Sequence, residues 1–478
     1  MKDRWLGFDA LFTAAFLGLV AFRALRPLDD PDLWWHLTAG EWILDGHGLP
    51  WVDTYSSVGH GAVWMAYSWL PEVLFVGCLR VVGPGGLVVL CALLLVATLA
   101  IVLDACRATG ARYRVALAAT FAAVLASWPC WTGRPHLVSF LCMAVFCDVL
   151  VRERAGAPVR RWLLVPTMIV WANSHVLFVF GGVLLGVHAL TRPRTWWRDV
   201  RNPALLVAVG AATLVNPYGW HLLHYVVVLA REPAAFAMVS EFQTPSLHES
   251  TGLALVAVLF ATLGVLVHSP RRKDPAELIG VFGFGFLALL MVRNAPFFAV
   301  VAAPVLARHL DALLPAAAAA PAPLAGGQRA AHAAMLAGVA AWVVVRTAGF
   351  FAPGAAMPET NVPTAAVRWL DAQPVEGRLL NGFDWGGYLI RHLYPRYEVA
   401  IDGRTNLYSD EVLGEYAAMT SLGPGWRTFM DRVDPDVVLW ERATPFARVL
   451  ALLPEWRRAY EDDRAVIYVR SALTRRGR

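Results

Sequence analysis

The sequence predicts an α-helical polytopic membrane protein that ends in a small α/β domain, and three observations support this fold class. Hydrophobic residues make up 58% of the 478 residues, only 16% are charged, and the mean hydropathy is +0.51. A soluble domain carries about a quarter charged residues. Apolar runs of roughly 16–20 residues recur as far as residue 351, separated by arginine-rich segments. From about Pro353 onward the composition is that of an ordinary soluble domain.

About eleven apolar segments are predicted to cross the membrane, with interfacial helices in addition. The segments cover residues 7–25, 85–104, 115–130, 136–151, 161–173, 175–190, 202–216, 252–268, 276–292, 296–312 and 330–351. We interpret the first segment as an uncleaved span and not as a cleaved signal peptide, because its small-residue site is interrupted by Arg23.

Arginine clusters predict the orientation of these spans. Under the positive-inside rule the clusters belong on the cytoplasmic side, at residues 107–114, 152–161, 192–201 and 271–273. Lys2 and Arg4 share that side only if residues 64–82, which carry Glu72 and Arg80, lie along the outer interface instead of crossing. We therefore expect the amino terminus inside and the carboxyl terminus outside.

The predicted domain boundary lies at residue 352. Residues 1–352 form the transmembrane domain, with a first outer loop over residues 26–84, and residues 353–478 form a soluble α/β extracytoplasmic domain. In this second domain buried strands are predicted over residues 378–381, 398–402, 436–440 and 464–470, and helices over residues 363–372, 409–420, 424–432 and 445–453. Residues 313–328 are a linker rich in Ala, Pro and Gly.

Several function classes are excluded by composition and motifs. The net charge is +5, but the arginines lie between apolar runs and not on one soluble face, so we expect no nucleic-acid partner. None of the six cysteines forms a C-x-x-C pair, which argues against a zinc site or a disulfide framework. Neither G-x-S-x-G nor H-E-x-x-H occurs, so a hydrolase has no support.

The densest polar cluster follows the first span, at residues 29–36 (DDPDLWWH). Carboxylates at a membrane edge are costly unless they bind a cation, act as a base or stay in water. One interpretation is a solvated helix cap, with Asp30 as N-cap and Pro31 at the first helical position. The other is a reactive site, because a cap does not require the Trp-Trp-His run that follows it.

Together with residues 46–56 (GHGLPWVDTYS), this cluster resembles the first extracytoplasmic loop of the GT-C superfamily of membrane glycosyltransferases, which includes oligosaccharyltransferases and protein O-mannosyltransferases. In that loop an Asp is followed by two aromatic residues and His, as Asp32 is here. Further matches to bacterial members are residues 69–72 (WLPE), 134–136 (RPH), 171–175 (WANSH), 216–219 (NPYG), 293–296 (RNAP), 381–388 (NGFDWGGY) and 402–404 (DGR). The resemblance covers nearly the whole chain.

The resemblance implies a GT-C fold and an inverting glycosyltransferase of the bacterial inner membrane. Its donor would be a polyprenyl-phosphate-linked sugar, and its acceptor a glycan, a lipid or a protein at the outer face. Such a transfer needs a base for the acceptor hydroxyl and groups that neutralise the leaving phosphate. Asp32 is the expected base and Asp30 the second candidate. Substrate and phosphate binding are expected from His36, Asp53, Glu72, Arg134, His136, Asn173, His175, Asn216, Arg293, Asp402 and Arg404.

Cofactor use and several of these assignments stay open. A Mg²⁺ or Mn²⁺ ion held by Asp32 and Asp53 is one alternative, and a metal-independent site is the other. Arg134 and Arg293 also suit interfacial positions at helix ends, and Arg404 also suits a structural pair with Asp402. Hydrogen bonding between helices is the alternative for His136, Asn173, His175 and Asn216.

One departure from the GT-C pattern concerns the second outer loop, residues 128–136. Members of the superfamily often carry an acidic residue in this loop, but no carboxylate occurs here. A metal site built across both loops is therefore doubtful. The departure keeps two other interpretations open: a non-catalytic glycolipid-binding protein, and a transport protein for lipid-linked saccharides.

Overall fold

The computed structural model describes residues 7–229, 239–315, 326–374 and 376–471. The chain divides into two compact units. The helical unit comprises Met1–Pro27, Cys78–Gly219 and Glu241–Ala356, and the α/β unit comprises Leu28–Gly77, Trp220–Ser240 and Met357–Arg478. The topology prediction for Lys2 and Arg4 and most of the predicted linker lie outside the described residues.

In the described chain, fifteen helices precede residue 350. They are α1 (Phe8–Ala24), α2 (Leu33–Trp42), α3 (Trp69–Val82), α4 (Pro84–Ala108), α5 (Tyr113–Ser127), α6 (His136–Ala155), α7 (Leu164–Ala172), α8 (Val179–Leu190), α9 (Arg194–Arg198), α10 (Arg201–Ala212), α11 (Trp220–Leu229), α12 (Ser250–His268), α13 (Pro275–Leu290), α14 (Ala295–Leu313) and α15 (Gly326–Gly349). Each of the predicted apolar segments overlaps one of these helices, so the predicted helical fold class is confirmed.

Within the described ranges, five helical stretches are long and apolar enough to cross a membrane, judged by length and composition: Pro84–Ala108, Tyr113–Cys130, Ser250–His268, Val292–Leu313 and Gly327–Gly349. Four shorter apolar stretches accompany them: Arg161–Ala172, Val176–Leu190, Trp220–Leu229 and Pro275–Leu290. The total of eleven crossings stays a prediction. Helix α3 has 14 residues, about 21 Å, which is short for a hydrocarbon core of about 30 Å. Its expected place at the outer interface also stays a prediction.

The core of the helical unit is built on α14, which packs against α5, α13 and α4. Nearly all of its residues from Ala295 to Ala307 are buried, and many are alanine. Helix α5 also presents buried alanines, among them Ala116, Ala119 and Ala123. Small side chains let helix backbones approach closely, which is how helices associate where lipid replaces water. This packing fixes the turn at residues 292–294 that carries Arg293.

The α/β unit contains a five-stranded sheet in the order β2-β1-β3-β5-β4. Its strands are β1 (Gly377–Asn381), β2 (Tyr397–Val399), β3 (Val437–Glu441), β4 (Trp456–Glu461) and β5 (Ala465–Arg470). Strand β1 is parallel to β2 and β3, whereas β5 is antiparallel to β3 and β4. The flanking helices are α16 (Thr364–Asp371), α17 (Gly386–Leu393), α18 (Asp410–Ser421), α19 (Thr428–Val433) and α20 (Pro445–Leu450).

Each predicted strand and helix of this unit overlaps an observed one, with one strand omitted and several ends shifted: strand β2 ends at Val399 and not at 402, and helix α20 ends at Leu450 and not at 453. Strand β4 was not predicted because Arg457 and Arg458 are exposed and interrupt any apolar run. Helix α19 begins at Thr428 and not at 424, because residues 423–426 form a turn in which Trp426 N–H donates to the Gly423 carbonyl.

The first outer loop is part of the α/β unit. Ser57 N–H donates to the Val399 carbonyl (2.8 Å) and Val399 N–H donates to the Tyr55 carbonyl (3.1 Å), so the loop continues the sheet beyond β2. Helix α2 packs on α17. Gly387 permits this contact, since a Cβ there would lie 2.7 Å from the Pro31 carbonyl oxygen. The loop that carries the predicted base is therefore held by the fold of this unit.

Candidate functional site

Asp30 and Asp32 lie in the turn that leads into α2. Asp30 Oδ1 accepts a hydrogen bond from Asp32 N–H (3.0 Å), and Asp32 Oδ1 accepts one from Trp35 Nε1 (3.2 Å). Helix α2 begins at Leu33, so Pro31 belongs to the turn and not to the first helical position. Asp30 is buried and Asp32 is partly exposed. Of the two carboxylates, Asp32 is therefore the one that a substrate can approach.

Asp32 contacts the DGR motif at Gly403. A Cβ at position 403 would lie 1.8 Å from Asp32 Oδ1, so any larger residue there would require the Asp32 carboxylate to move. Two motifs that are far apart in sequence, the DPD run and DGR, thus meet within the α/β unit.

Arg404 is fully buried and is held by two carboxylates. Its Nε and Nη2 donate to the two oxygens of Asp402 (2.8 and 2.7 Å), and its Nη1 donates to Asp53 Oδ1 (2.7 Å). The guanidinium carbon lies 4.7 Å from the ring centre of Trp64 and 5.1 Å from that of Tyr55. The side chains of the ion pairs are 0% exposed. This geometry favours the structural alternative for Arg404 over phosphate binding.

Asp53 does not fit the predicted metal site. Its Oδ1 accepts from Tyr55 N–H and from Arg404, and its Oδ2 accepts from Ser56 N–H (3.1 Å) and Ser56 Oγ (2.5 Å). These four hydrogen bonds use the lone pairs that a carboxylate offers. Burial opposes ionisation, but Arg404 and the hydrogen bonds from Ser56 and Tyr55 lower the pKa of Asp53 below its ordinary value. Among the described residues, no group of three or more His, Cys, Asp or Glu side chains is arranged to hold a metal ion.

His36 and Glu72 form a buried pair in the same unit. His36 Nδ1 and Glu72 Oε1 share a hydrogen bond of 2.7 Å. Burial raises the pKa of Glu72 to about 8, while Arg404 has the opposite and smaller effect. Within the described part of the chain, Glu72 Oε2 has no hydrogen-bond partner. Glu72 therefore favours its neutral form, which suits a proton-holding group better than a metal ligand.

A second cluster lies in the helical unit and joins Arg134, Arg293 and Glu241. Arg134 Nη2 is 2.5 Å from Glu241 Oε2, and Arg293 Nη1 is 4.0 Å from Glu241 Oε1. Arg293 also lies over the ring of Phe242, at 4.4 Å from its centre. Burial opposes ionisation of the carboxyl, but Arg134 and Arg293 together lower the pKa of Glu241 to about 2. Two of the predicted phosphate-binding arginines are thus brought together on one ionised carboxylate.

His136 lines the cavity beside this cluster. Its Nε2 is 2.9 Å from the Cys130 carbonyl oxygen. The cavity is lined by Cys130, His136, Phe140, Leu177, Glu241, Arg293 and Phe297. Glu241 places a carboxylate beside the second outer loop, residues 128–136, through its ion pair with Arg134. No sequence motif marks Glu241, because it lies 107 positions beyond Arg134 in a different loop.

The remaining predicted residues bind the backbone at helix ends. They are Asn173, His175 and Asn216. Asn173 Nδ2 donates to the carbonyls of Ile169 (2.8 Å) and Val215 (2.7 Å), and His175 Nδ1 accepts from Leu177 N–H (3.4 Å). Asn216 Oδ1 accepts from Tyr218 N–H (2.8 Å). These contacts favour the structural alternative for all three.

Similarity to known proteins was found at the level of structure. No family model matches the sequence, and no curated protein matches it either. The archaeal oligosaccharyltransferase AglB from Archaeoglobus fulgidus, solved with an inhibitory peptide and a dolichol-phosphate, superposes with a TM-score of 0.61 at 13% identity, over 99% of this chain and 75% of AglB. ArnT from Cupriavidus metallidurans, solved with undecaprenyl phosphate, gives 0.52 at 16% identity, over 98% of both chains.

The chain has the GT-C fold. A second structure of the Archaeoglobus fulgidus oligosaccharyltransferase, tethered to an acceptor peptide, agrees, with a TM-score of 0.54 at 13% identity over 98% of this chain and 75% of that one. The fold implied by the sequence motifs is therefore confirmed across nearly the whole chain. At these identities the likeness establishes the GT-C fold and leaves the chemistry to the residues themselves.

Proposed function

We propose that this protein is a membrane glycosyltransferase that moves a sugar from a polyprenyl-phosphate donor to an acceptor on the extracytoplasmic face. The observation that carries the proposal is the GT-C fold, since AglB and ArnT were solved with dolichol-phosphate and undecaprenyl phosphate. The same proposal includes a bacterial inner-membrane location, with the amino terminus inside and the α/β unit outside. The acceptor class, whether glycan, lipid or protein, is part of what the experiment below determines.

Asp32 is proposed as the base. It is partly exposed, and Trp35 and Gly403 fix its carboxylate on one side. In an inverting transfer the acceptor hydroxyl attacks the anomeric carbon as the bond to the donor phosphate breaks. The hydroxyl proton passes to Asp32, and the polyprenyl phosphate leaves with the electron pair of the broken bond. Asp30 orients this turn through the Asp32 N–H and is the second candidate.

Arg134 and Arg293 are proposed to bind the leaving phosphate. A guanidinium offers a planar fork of donors that matches phosphate oxygens, and fixed cations near developing negative charge lower the barrier. Both side chains are partly exposed, at 15% and 23%, whereas Arg404 has no exposed side-chain surface. The proposal assigns Arg404, Asp402 and Asp53 to holding the α/β unit together, and it contains no step for Mg²⁺ or Mn²⁺.

The proposal is tested by a transfer assay on the full chain in lipid nanodiscs. A panel of undecaprenyl-phosphate sugars, each labelled in the sugar, is supplied with a membrane extract as the source of acceptors, and release of undecaprenyl phosphate is measured. We expect Asp32→Asn to lower the rate by about 10²–10⁴-fold, the contribution typical of a positioned base. Asp29→Asn, an exposed neighbour, is the matched control and keeps wild-type rates. Full activity in Asp32→Asn contradicts the base assignment.

One observation favours the non-catalytic alternative. The carboxylates of Asp53 and Asp402, which belong to the motifs shared with the GT-C superfamily, are engaged by Arg404 and by neighbouring hydroxyl and N–H groups. A protein that binds a glycolipid without reacting with it does not need these carboxylates to be available. Binding of undecaprenyl-phosphate sugars without release of undecaprenyl phosphate, across the whole panel, supports that alternative.

A further inference from the structure

The Asp32 carboxylate, the proposed base, accepts a hydrogen bond from the Trp35 indole. Trp35 lies in the first turn of α2, and its Nε1 donates to Asp32 Oδ1 (3.2 Å). An N–H group donates along one direction, so the contact exists only while the indole ring keeps its orientation. Whatever fixes the Trp35 ring therefore also fixes the Asp32 carboxylate.

The Trp35 ring is enclosed by neighbours within the α/β unit. It is buried, and its centre lies 3.6 Å from that of the His36 imidazole, at an interplanar angle of 32°. The Trp64 ring packs on it edge-on at 6.4 Å. A Cβ at Gly387 would lie 3.3 Å from Trp35 Cδ1, so α17 also closes on the ring. Because the imidazole lies against the indole, the orientation of His36 limits how far the indole can turn.

Glu72 holds the His36 ring. Its Oε1 lies 2.7 Å from His36 Nδ1, and both side chains are buried. Gly40 makes this pairing possible, since a Cβ at that position would overlap the Glu72 carbonyl group. His36 and Gly40 are four residues apart and lie on the same face of α2. The glycine therefore lets α2 approach α3 closely enough for the pair to form.

The Glu72 carboxyl is costly for the fold. It is buried, and within the described part of the chain its Oε2 has no hydrogen-bond partner. Leaving a buried polar atom unpaired costs free energy that an apolar side chain would avoid. With a pKa raised by burial to about 8, the carboxyl keeps its proton at neutral pH, and Oε1 donates to the lone pair of His36 Nδ1. Departures of this kind from the rules of stable folds are expected at functional sites.

We propose that Glu72 and His36 are positioning residues for sugar transfer, which hold the Asp32 carboxylate in place through the Trp35 indole. The inference rests on the proposed function, which makes Asp32 the base. Glu72 and His36 act through the indole and not on the reacting groups. A catalytic group that is misplaced by about 1 Å loses about 10²-fold in rate, so a chain of contacts that fixes Asp32 affects the rate strongly.

The test is a steady-state assay of the full chain in nanodiscs, with the undecaprenyl-phosphate sugar that wild type uses, and kcat and KM are measured. We expect Trp35→Phe, which keeps an aromatic ring and removes the N–H, to lower kcat by about 10–10²-fold with KM unchanged, because the base acts only as the proton moves. We expect the same of Glu72→Leu. The double variant should be no slower than the slower single variant, since both changes break one chain of contacts.

Two further variants separate positioning from general stability. Glu72→Gln keeps an N–H that donates to His36 Nδ1, and it should restore most of the kcat that Glu72→Leu loses. Glu41→Gln alters a different contact of α2, the ion pair of Glu41 with Arg391 (2.9 Å), and should leave kcat and KM unchanged. His36→Leu carries the same expectation as Glu72→Leu and serves if that variant does not fold, which a thermal melt in detergent shows.

Three results overturn the inference. The first is a wild-type kcat in Trp35→Phe or in Glu72→Leu. The second is a pair of losses that multiply in the double variant, because the two residues would then act independently. The third is a loss in Glu41→Gln as large as that in Glu72→Leu, because any contact of α2 would then have the same effect.

The Trp35 contact can also be measured without sugar transfer. The full chain carries ¹⁵N-labelled tryptophan, and the Trp35 indole resonance is the one that Trp35→Phe removes. We expect Glu72→Leu to shift this resonance toward that of an indole without an acceptor, and Glu41→Gln to leave it in place. If no sugar is transferred but the resonance shifts, the proposed function fails and the chain of contacts stands. If Asp32→Asn abolishes transfer but Glu72→Leu changes neither the resonance nor kcat, the proposed function stands and the inference is wrong.

Discussion

The two arginine–carboxylate clusters differ in how deeply their side chains are buried. In the α/β unit one guanidinium, Arg404, serves two carboxylates, and every group is buried. In the helical unit the Glu241 carboxylate lies between Arg134 and Arg293, and each of these side chains is partly exposed. In the buried cluster three hydrogen bonds hold the Arg404 guanidinium between its two carboxylates, whereas solvent and solutes can reach the charged groups of the partly exposed cluster. Burial therefore separates a candidate binding arginine from a structural one better than residue type alone.

Removal of Arg404 is expected to cause the largest loss of stability. Arg404→Met keeps the volume but leaves Asp53 and Asp402 without their cation, and breaking one partner of a buried pair costs about 3–5 kcal/mol. Arg432→Met is the control, because Arg432 and its partners Glu411 and Glu415 form a surface ion pair network worth about 0–1 kcal/mol. Urea unfolding of the detergent-solubilised chain, read by protease susceptibility of the α/β unit, measures both. Equal losses contradict the structural role of Arg404.

Glu72 extends the comparison to a buried acid whose partner is His36 and not an arginine. Its pKa is about 8 in the folded chain, where burial raises it, against about 4.3 when exposed. The folded state keeps the proton across this range, so stability falls as the pH rises from about 4.3 towards 8. Glu72→Gln removes this dependence. We expect the melting temperature of wild type to fall, relative to the variant, between about pH 5 and pH 8; parallel profiles contradict the expectation.

The sequence predicted most of the fold but few of the contacts in the candidate site. Apolar runs located the helices of the helical unit and the buried strands β1, β3 and β5, because these elements bury most of their surface. Strand β4 was not predicted because its exposed arginines interrupt the apolar pattern of a buried strand. The pairing of Asp402 with Arg404 was open to prediction, since both lie in one turn.

Contacts between distant segments were not predictable in this way. Asp53 contacts Arg404 across 351 positions of the sequence, and Arg134 contacts Glu241 across 107 positions. A single sequence carries no pattern that reveals contacts at such separations. Glu241 was missed for this reason: a single Glu in a long polar loop has no local signature. Residues 128–136 carry no carboxylate, and Glu241 from another loop pairs with Arg134 among them.

The smallest expected effect on stability belongs to Arg134, and it separates the two clusters most directly. In Arg134→Met the Glu241 carboxylate is still partly exposed and still lies near Arg293, so the free energy of unfolding should fall by less than in Arg404→Met, where the two carboxylates left behind have no exposed side-chain surface. The same variant should bind undecaprenyl phosphate more weakly, because a charge-assisted contact is lost. Thermal melts measure the change in stability, and a titration of the full chain in nanodiscs with undecaprenyl phosphate measures the change in binding. A stability loss as large as that of Arg404→Met would mean that Arg134 holds the helical unit together and that exposure does not distinguish a binding arginine from a structural one.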